Sequence, residues 1–161
     1  MTGGGSLAIW TVVNLLASEG DNFLFPSPGF PLSGTIADSI GAHPKLYHLQ
    51  PHNGWKANLE EMENLIDERT KFVYINDPSN PLGTCWPDEH KKEIIDLCRR
   101  KNLPILADEI YEGVTYENPG KTFAELSTSD VTIFKCSGLT KRWLGPGWRC
   151  GWLILYANEE N

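Results

Sequence analysis

Long apolar runs are missing from this chain: nowhere do the roughly 18 consecutive apolar residues of a membrane-spanning helix occur together. No basic stretch near Met1 leads an apolar segment to a cleavage site, so a soluble, intracellular, cytoplasmic protein is expected, with no membrane partner. Positive charge is scarce as well. Lys and Arg number 14 against 21 Asp and Glu, a net charge of -7, and without a basic stripe no nucleic-acid partner is expected. The cysteines, Cys85, Cys98, Cys136 and Cys150, have no Cys-x-x-Cys spacing. Nor do His43, His48, His52 and His90 show metal-ligand spacing. Free thiols, histidines in surface or turn positions and no metal are the expectation. The Gly3-Gly4-Gly5 turn lacks the Gly-x-Gly-x-x-Gly pattern, which sets aside a dinucleotide-dependent dehydrogenase. Internal repeats and low-complexity linkers are also missing.

What the 161 residues do contain is an alternation of short apolar runs and amphipathic stretches, enough for one domain with a buried core. Strands are predicted at 21–26, 45–49, 71–75, 104–107, 131–134 and 151–156. Helices are predicted at 7–16, at 31–40, from Asn58 through Ile66, and from about Pro87. Asn58-Leu59-Glu60-Glu61 has the form of a capping box. On the helix after Pro87, Ile94, Ile95 and Cys98 share one face, and His90-Lys91-Lys92-Glu93 reads as its solvated side. This alternation implies a mainly parallel sheet with helices on both faces. The segment 112–129 is the least regular, and its Tyr116-Glu117-Asn118-Pro119-Gly120 turn is expected to be exposed.

Three short motifs carry chemistry. In Ser137-Gly138-Leu139-Thr140-Lys141, a lysine sits among small residues, and Arg149 follows eight positions later between Gly147 and Gly151. A lysine amine attacks a carbonyl only when unprotonated, and small neighbours leave room for a flat cofactor. An arginine held in a turn offers a planar fork of donors suited to phosphate. Together they suggest a phosphorylated aldehyde cofactor, although a lone lysine in such a turn is most often a solvated loop residue. The apolar run Leu103-Pro104-Ile105-Leu106-Ala107 ends in Asp108, with Tyr111 three positions on. Ligands of open α/β sheets sit at the carboxyl ends of such strands, which places Asp108 for a pyridine nitrogen or, alternatively, as a plain structural acid. Asn76-Asp77-Pro78-Ser79-Asn80-Pro81-Leu82-Gly83 follows another apolar strand. Its prolines impose extended backbone before each ring, and the turn either aims Asn80 at a ligand or simply connects a strand to a helix. Lys135 and Lys121 read as bystanders.

Asn80-Pro81-Leu82-Gly83, Asp108-Glu109-Ile110-Tyr111 and Lys141 with Arg149, in this order and at these spacings, resemble the class I aminotransferases of fold type I, which use pyridoxal 5'-phosphate (PLP). The stretch 141–149 is most similar to the tyrosine and nicotianamine aminotransferases. The resemblance implies an α/β fold, a three-layer αβα arrangement around a mainly parallel sheet. It also implies that residues 1–161 form a large, PLP-binding domain, incomplete at its N-terminus and without the small C-terminal domain that carries the family's substrate-carboxylate arginine.

By the same resemblance, Lys141 forms the Schiff base and shuttles the proton, Asp108 pairs with the pyridine nitrogen, and Asn80 and Tyr111 hydrogen-bond the phenolic oxygen. Arg149 binds the phosphate with the turn of Gly4, Gly5 and Ser6, whose amides open a helix. Phe30 matches the ring that stacks on the cofactor, or is an ordinary core phenylalanine. Many relatives carry a serine three residues before the lysine. Here that place is Gly138, and Ser137 lies one earlier. The implied reaction is transamination of a tyrosine-like amino acid with a 2-oxo acid acceptor, in proteins that form homodimers at full length. A non-catalytic PLP-binding fragment and a PLP lyase of the same fold remain as alternatives.

Overall fold

The computed structural model describes residues 1–116, 120–127 and 130–157. The parallel strands are β1 (Asn22–Ser27), β2 (His43–Gln50), β4 (Thr70–Asn76), β5 (Ile105–Asp108) and β6 (Ile133–Gly138); β3 (Lys56–Ala57) and β7 (Gly151–Tyr156) run antiparallel to their neighbours. They form one seven-stranded sheet in the order β3-β2-β1-β4-β5-β6-β7. The helices are α1 (Gly5–Leu16), α2 (Leu32–Ile40), α3 (Leu59–Leu65), α4 (Asp88–Lys101), α5 (Phe123–Leu126) and α6 (Leu139–Arg142).

Alternation along the strands explains the layering, because successive side chains point to opposite faces. Leu24, Val73, Ile75, Ile105, Ala107 and Ile133 face one core, with Met62 of α3, Ile94, Ile95 and Cys98 of α4 and Phe123 of α5. Phe23, Phe25, Phe72, Tyr74, Leu106 and Phe134 face the other, with Ala8, Ile9, Val12 and Val13 of α1 and Ile36 and Ala37 of α2. Phe23 stacks on Phe72 with ring centroids 4.4 Å apart, a contact that contributes about 1 kcal/mol beyond area burial. The three-layer αβα arrangement is thus the one expected. Among the described residues no helix is long and apolar enough to cross a membrane.

Four local expectations need correction. The strand read at 131–134 lies at Ile133–Gly138 instead. Lys135 can enter it because its ammonium meets Glu109 at 3.4 Å and Glu112 at 2.9 Å, so it is no bystander. The capping box at Asn58 is only half made. Asn58 accepts from the Glu61 N–H at 3.2 Å, but the Glu61 carboxylate turns to His48. A complete box occurs at Thr122 and Glu125, ahead of α5. Finally, His90 and Lys91 are not on a solvated face: both are 3% exposed. His90 Nε2 accepts from the Ala57 N–H at 3.0 Å and its ring packs edge-on to Trp86. Of the predicted exposed turn, Tyr116 is fully exposed, and 117–119 lie outside the described residues.

Candidate active site at the carboxyl ends of the strands

The sheet changes direction between β1 and β4, since β2 lies on one side of β1 and β4 on the other. Crevices at the carboxyl ends of strands beside such a switch are where open α/β sheets bind ligands. A cavity of about 190 Å³ opens there, and its lining includes Gly5, Ser6, Phe30, Asn80, Asp108, Tyr111, Lys141 and Arg149.

Asp108, the last residue of β5, is buried. Its Oδ2 accepts the Tyr74 hydroxyl at 2.9 Å and its Oδ1 the Ile110 N–H at 3.3 Å. Burial pushes its carboxyl up to about 6, against the opposing pull of Tyr74, the Ile110 amide and Lys141. The Tyr74 phenol is itself held well above its ordinary value, first by burial and then by Asp108, so it stays a donor. The register pairs Asn76 with Asp108 across β4 and β5. Asn76 Nδ2 donates to the Asp108 carbonyl at 3.1 Å, and its Oδ1 accepts the Asn80 N–H at 2.8 Å. One side chain therefore ties the Asn80 loop to the strand that ends in Asp108.

Lys141 is supplied by α6, directly after β6, and its Nζ lies 5.3 Å from the centroid of the Tyr111 ring. Chain reversal through a 3₁₀ turn at Pro146–Trp148 returns Arg149 to the same pocket. Its Nη2 donates to the Gly3 carbonyl at 3.0 Å and its Nη1 to the Pro146 carbonyl at 3.2 Å. The guanidinium crosses directly over Gly4, where φ is 100° and a Cβ would stand 2.6 Å from Nη2. Only glycine satisfies both conditions. The turn is also sewn to β7, by Thr2 N–H to Gly151 O at 2.8 Å and Gly151 N–H to Thr2 O at 2.9 Å. A Cβ at Gly151 would meet Gly4 C at 2.5 Å. Gly4 then ends the turn, its carbonyl accepting the Leu7 and Ala8 N–H groups at 3.2 and 3.3 Å, while Gly5 and Ser6, the first residues of α1, line the pocket.

Ser137 does not line this cavity. Strand alternation puts it on the face of Lys135, where its hydroxyl lies 3.5 Å from the Glu109 carbonyl. Gly138 faces the pocket side instead, where a Cβ would stand 3.5 Å from the Ile110 side chain, and Thr140 belongs to the lining. Asn76, Thr140 and Tyr74 are the residues that motif reading missed. Asn76 and Tyr74 were reachable by alternation, since both share the face of β4 that neighbours Asp108. A larger cavity of about 390 Å³ lies near Leu16, Asn102 and Pro104. Its charged residues, Arg99 and Asp130, are engaged with each other, and it gathers no comparable set of groups.

The geometry agrees with what this chain is similar to. The family model for aminotransferase class I and II matches residues 1–160. Human tyrosine aminotransferase is 44% identical over 161 residues, covering 99% of this chain and 35% of that protein. An S-alkyl-thiohydroximate lyase of Arabidopsis thaliana is 30% identical, covering 99% of this chain and 34% of the relative. The crystal structure of tyrosine aminotransferase from Leishmania infantum superposes with a TM-score of 0.93 at 35% identity, over 97% of this chain and 42% of that one. The chain thus spans about a third of the length of the curated relatives it matches. With the family model matched over nearly every residue and the site at the carboxyl ends of the same kind of sheet, this chain belongs to the class I and II aminotransferases.

Proposed function

We propose that this chain is the PLP-binding portion of an aminotransferase that moves the amino group of a tyrosine-like amino acid to a 2-oxo acid such as 2-oxoglutarate. The observation that carries the reading is the convergence of Asp108, Asn80, Tyr111, Lys141 and Arg149, from separate segments of the chain, on one cavity. The residues fit PLP. Asp108 is a buried carboxyl whose acidity is suppressed by burial, a penalty that the positive charge of a protonated ring nitrogen would offset. Gly4 lets the Arg149 guanidinium lie directly over the turn, where any side chain would displace it.

When bound, PLP serves as the electron sink for bond breaking at the amino acid's α-carbon. Around it Asp108 holds the ring nitrogen's proton, and Tyr74 and the Ile110 amide hold Asp108. Asn80 and Tyr111 orient the phenolic oxygen. Arg149 and the first amides of α1 bind the phosphate, and Phe30 covers the ring. Lys141 Nζ is the amine for covalent attachment and the base that moves the proton.

The test uses PLP, tyrosine and 2-oxoglutarate, with glutamate formation followed in wild type and in Lys141→Ala. Borohydride reduction with peptide mapping then locates the attached cofactor. Attachment at Lys141 is expected, and any glutamate that the wild type forms should be lost in the variant. Attachment confined to Lys135 or Lys121 would sink the assignment. The identity with a thiohydroximate lyase supports a second reading, a PLP lyase. Consumption of an amino acid without glutamate formation would select it.

A further inference from the structure

The pocket has a counterpart built from its sequence neighbours. A separate cavity of about 240 Å³ is lined in part by Asp77, Lys91, Glu109, Lys121 and Arg142. Asp77 follows Asn76, Glu109 follows Asp108, and Arg142 follows Lys141, so segments that give one residue to the first pocket give the next to this second space. Its centre of charge is the Lys91 ammonium, in the second turn of α4. That group pairs with Asp77 Oδ2 at 2.7 Å, with both side chains 3% exposed. It also donates to the Lys121 carbonyl at 2.9 Å and lies 5.9 Å from the centroid of Phe123.

Asp77 uses its other oxygen to accept the Trp86 N–H at 2.9 Å. This bond closes the base of loop 77–86, which carries Asn80. Inside the loop, Ser79 N–H donates to Thr84 O at 2.9 Å and Gly83 N–H to Ser79 O at 2.8 Å. Lys121 N–H in turn reaches Asp88 Oδ1, at the start of α4, at 2.9 Å. One buried cation thus joins the Asn80 loop, α4 and the chain that returns from Tyr111 toward α5. Burial raises the Asp77 carboxyl above its ordinary value, and Lys91 is the first group that opposes this. A buried ion pair contributes little to stability that a well-packed apolar pair would not. What an apolar pair cannot do is aim a carboxylate at the Trp86 amide.

We propose that Lys91 is a positioning residue: through Asp77 its ammonium holds loop 77–86 in the conformation that presents Asn80 to the phenolic oxygen of PLP. The proposal rests on the PLP reading above, and its test separates the two. Removing the cation alone leaves Asp77 buried without a partner, so Lys91→Met is made together with the charge-free pair Lys91→Met/Asp77→Leu.

Hydrogen exchange without cofactor reads the loop. Amides of Ser79, Gly83 and Trp86 are expected to exchange at least about tenfold faster in the variants, with Val73 and Leu106 unchanged, as a local opening requires. Titration of the visible absorbance of the PLP-loaded protein reads Asn80. Losing a donor to the phenolic oxygen disfavours its anionic form, so the spectral midpoint should move to higher pH by about half a unit or more. Asn80→Ala should produce the same shift, with no addition when combined with Lys91→Met. Unchanged exchange at 79, 83 and 86 in both variants, faster exchange spread evenly over the sheet, or an unmoved midpoint would each overturn the positioning role. A wild-type protein that develops no visible PLP band overturns the cofactor reading instead, while the exchange measurement still decides whether Lys91 holds the loop.

Discussion

Asp108 responds most directly to what fills the pocket. Burial pushes its carboxyl up to about 6, against 3.8 for an ordinary aspartate. The native state therefore keeps a proton that the unfolded chain releases, and stability falls as pH rises from about 4 to 6. The loss over that window is about 3 kcal/mol at most. Urea unfolding of cofactor-free Asp108→Asn should show it more stable than wild type at pH 7.5 and equal at pH 4. The same substitution should weaken PLP retention, because an amide cannot offer a negative charge to the ring nitrogen. Equal stability of the two proteins at pH 7.5 would show that burial does not govern this carboxyl. At the other end of the cofactor, Arg149→Lys replaces a planar fork with a point charge. PLP affinity should fall by about tenfold, measured by equilibrium dialysis, and an unchanged affinity would remove Arg149 from the phosphate site.

At the level of elements, the parallel strands were legible because buried strands read as short apolar runs bounded by turn residues, as at 71–75 and 104–107. Chemistry at their ends was legible for the same reason, since Asn80, Asp108 and Lys141 all lie just past such runs. Charge was not legible where its partner is remote in sequence. Lys91 looks solvated on a helix of mixed charge until Asp77 is seen beside it, and Lys135 reads as a bystander until Glu109 and Glu112 are seen beside it. Glu61 could not be assigned to a cap or to His48 by spacing alone. The anchoring of the glycine turn, through Thr2 and Gly151, also joins residues too remote in sequence to be read together. Gly151→Val should force β7 away from Gly4, since a Cβ there would overlap the turn. Weaker PLP binding is expected with far-ultraviolet circular dichroism unchanged. Full affinity in this variant would mean that the bridge to β7 does not shape the phosphate site.

Across the whole molecule, β7 is the edge of the sheet, and past Gly151 its outer side is open among the described residues. Leu155 is 57% exposed on it, and Trp148 and Leu144, shortly before β7 in the chain, are exposed as well. An uncovered edge with apolar side chains invites pairing with another copy. The 161-residue chain should therefore self-associate in sedimentation velocity, and Leu155→Glu should shift it toward monomer. A monodisperse wild-type monomer would contradict this. The contact between Arg149 and the Gly3 carbonyl joins residues 146 positions apart. Loop-closure entropy delays contacts of that span until nearer ones have formed. Folding then has an order: the strands and their helices assemble first, and the phosphate end of the pocket is completed last, when the final strand returns to the first turn. PLP added during refolding should leave the early phases untouched and act only on the last one.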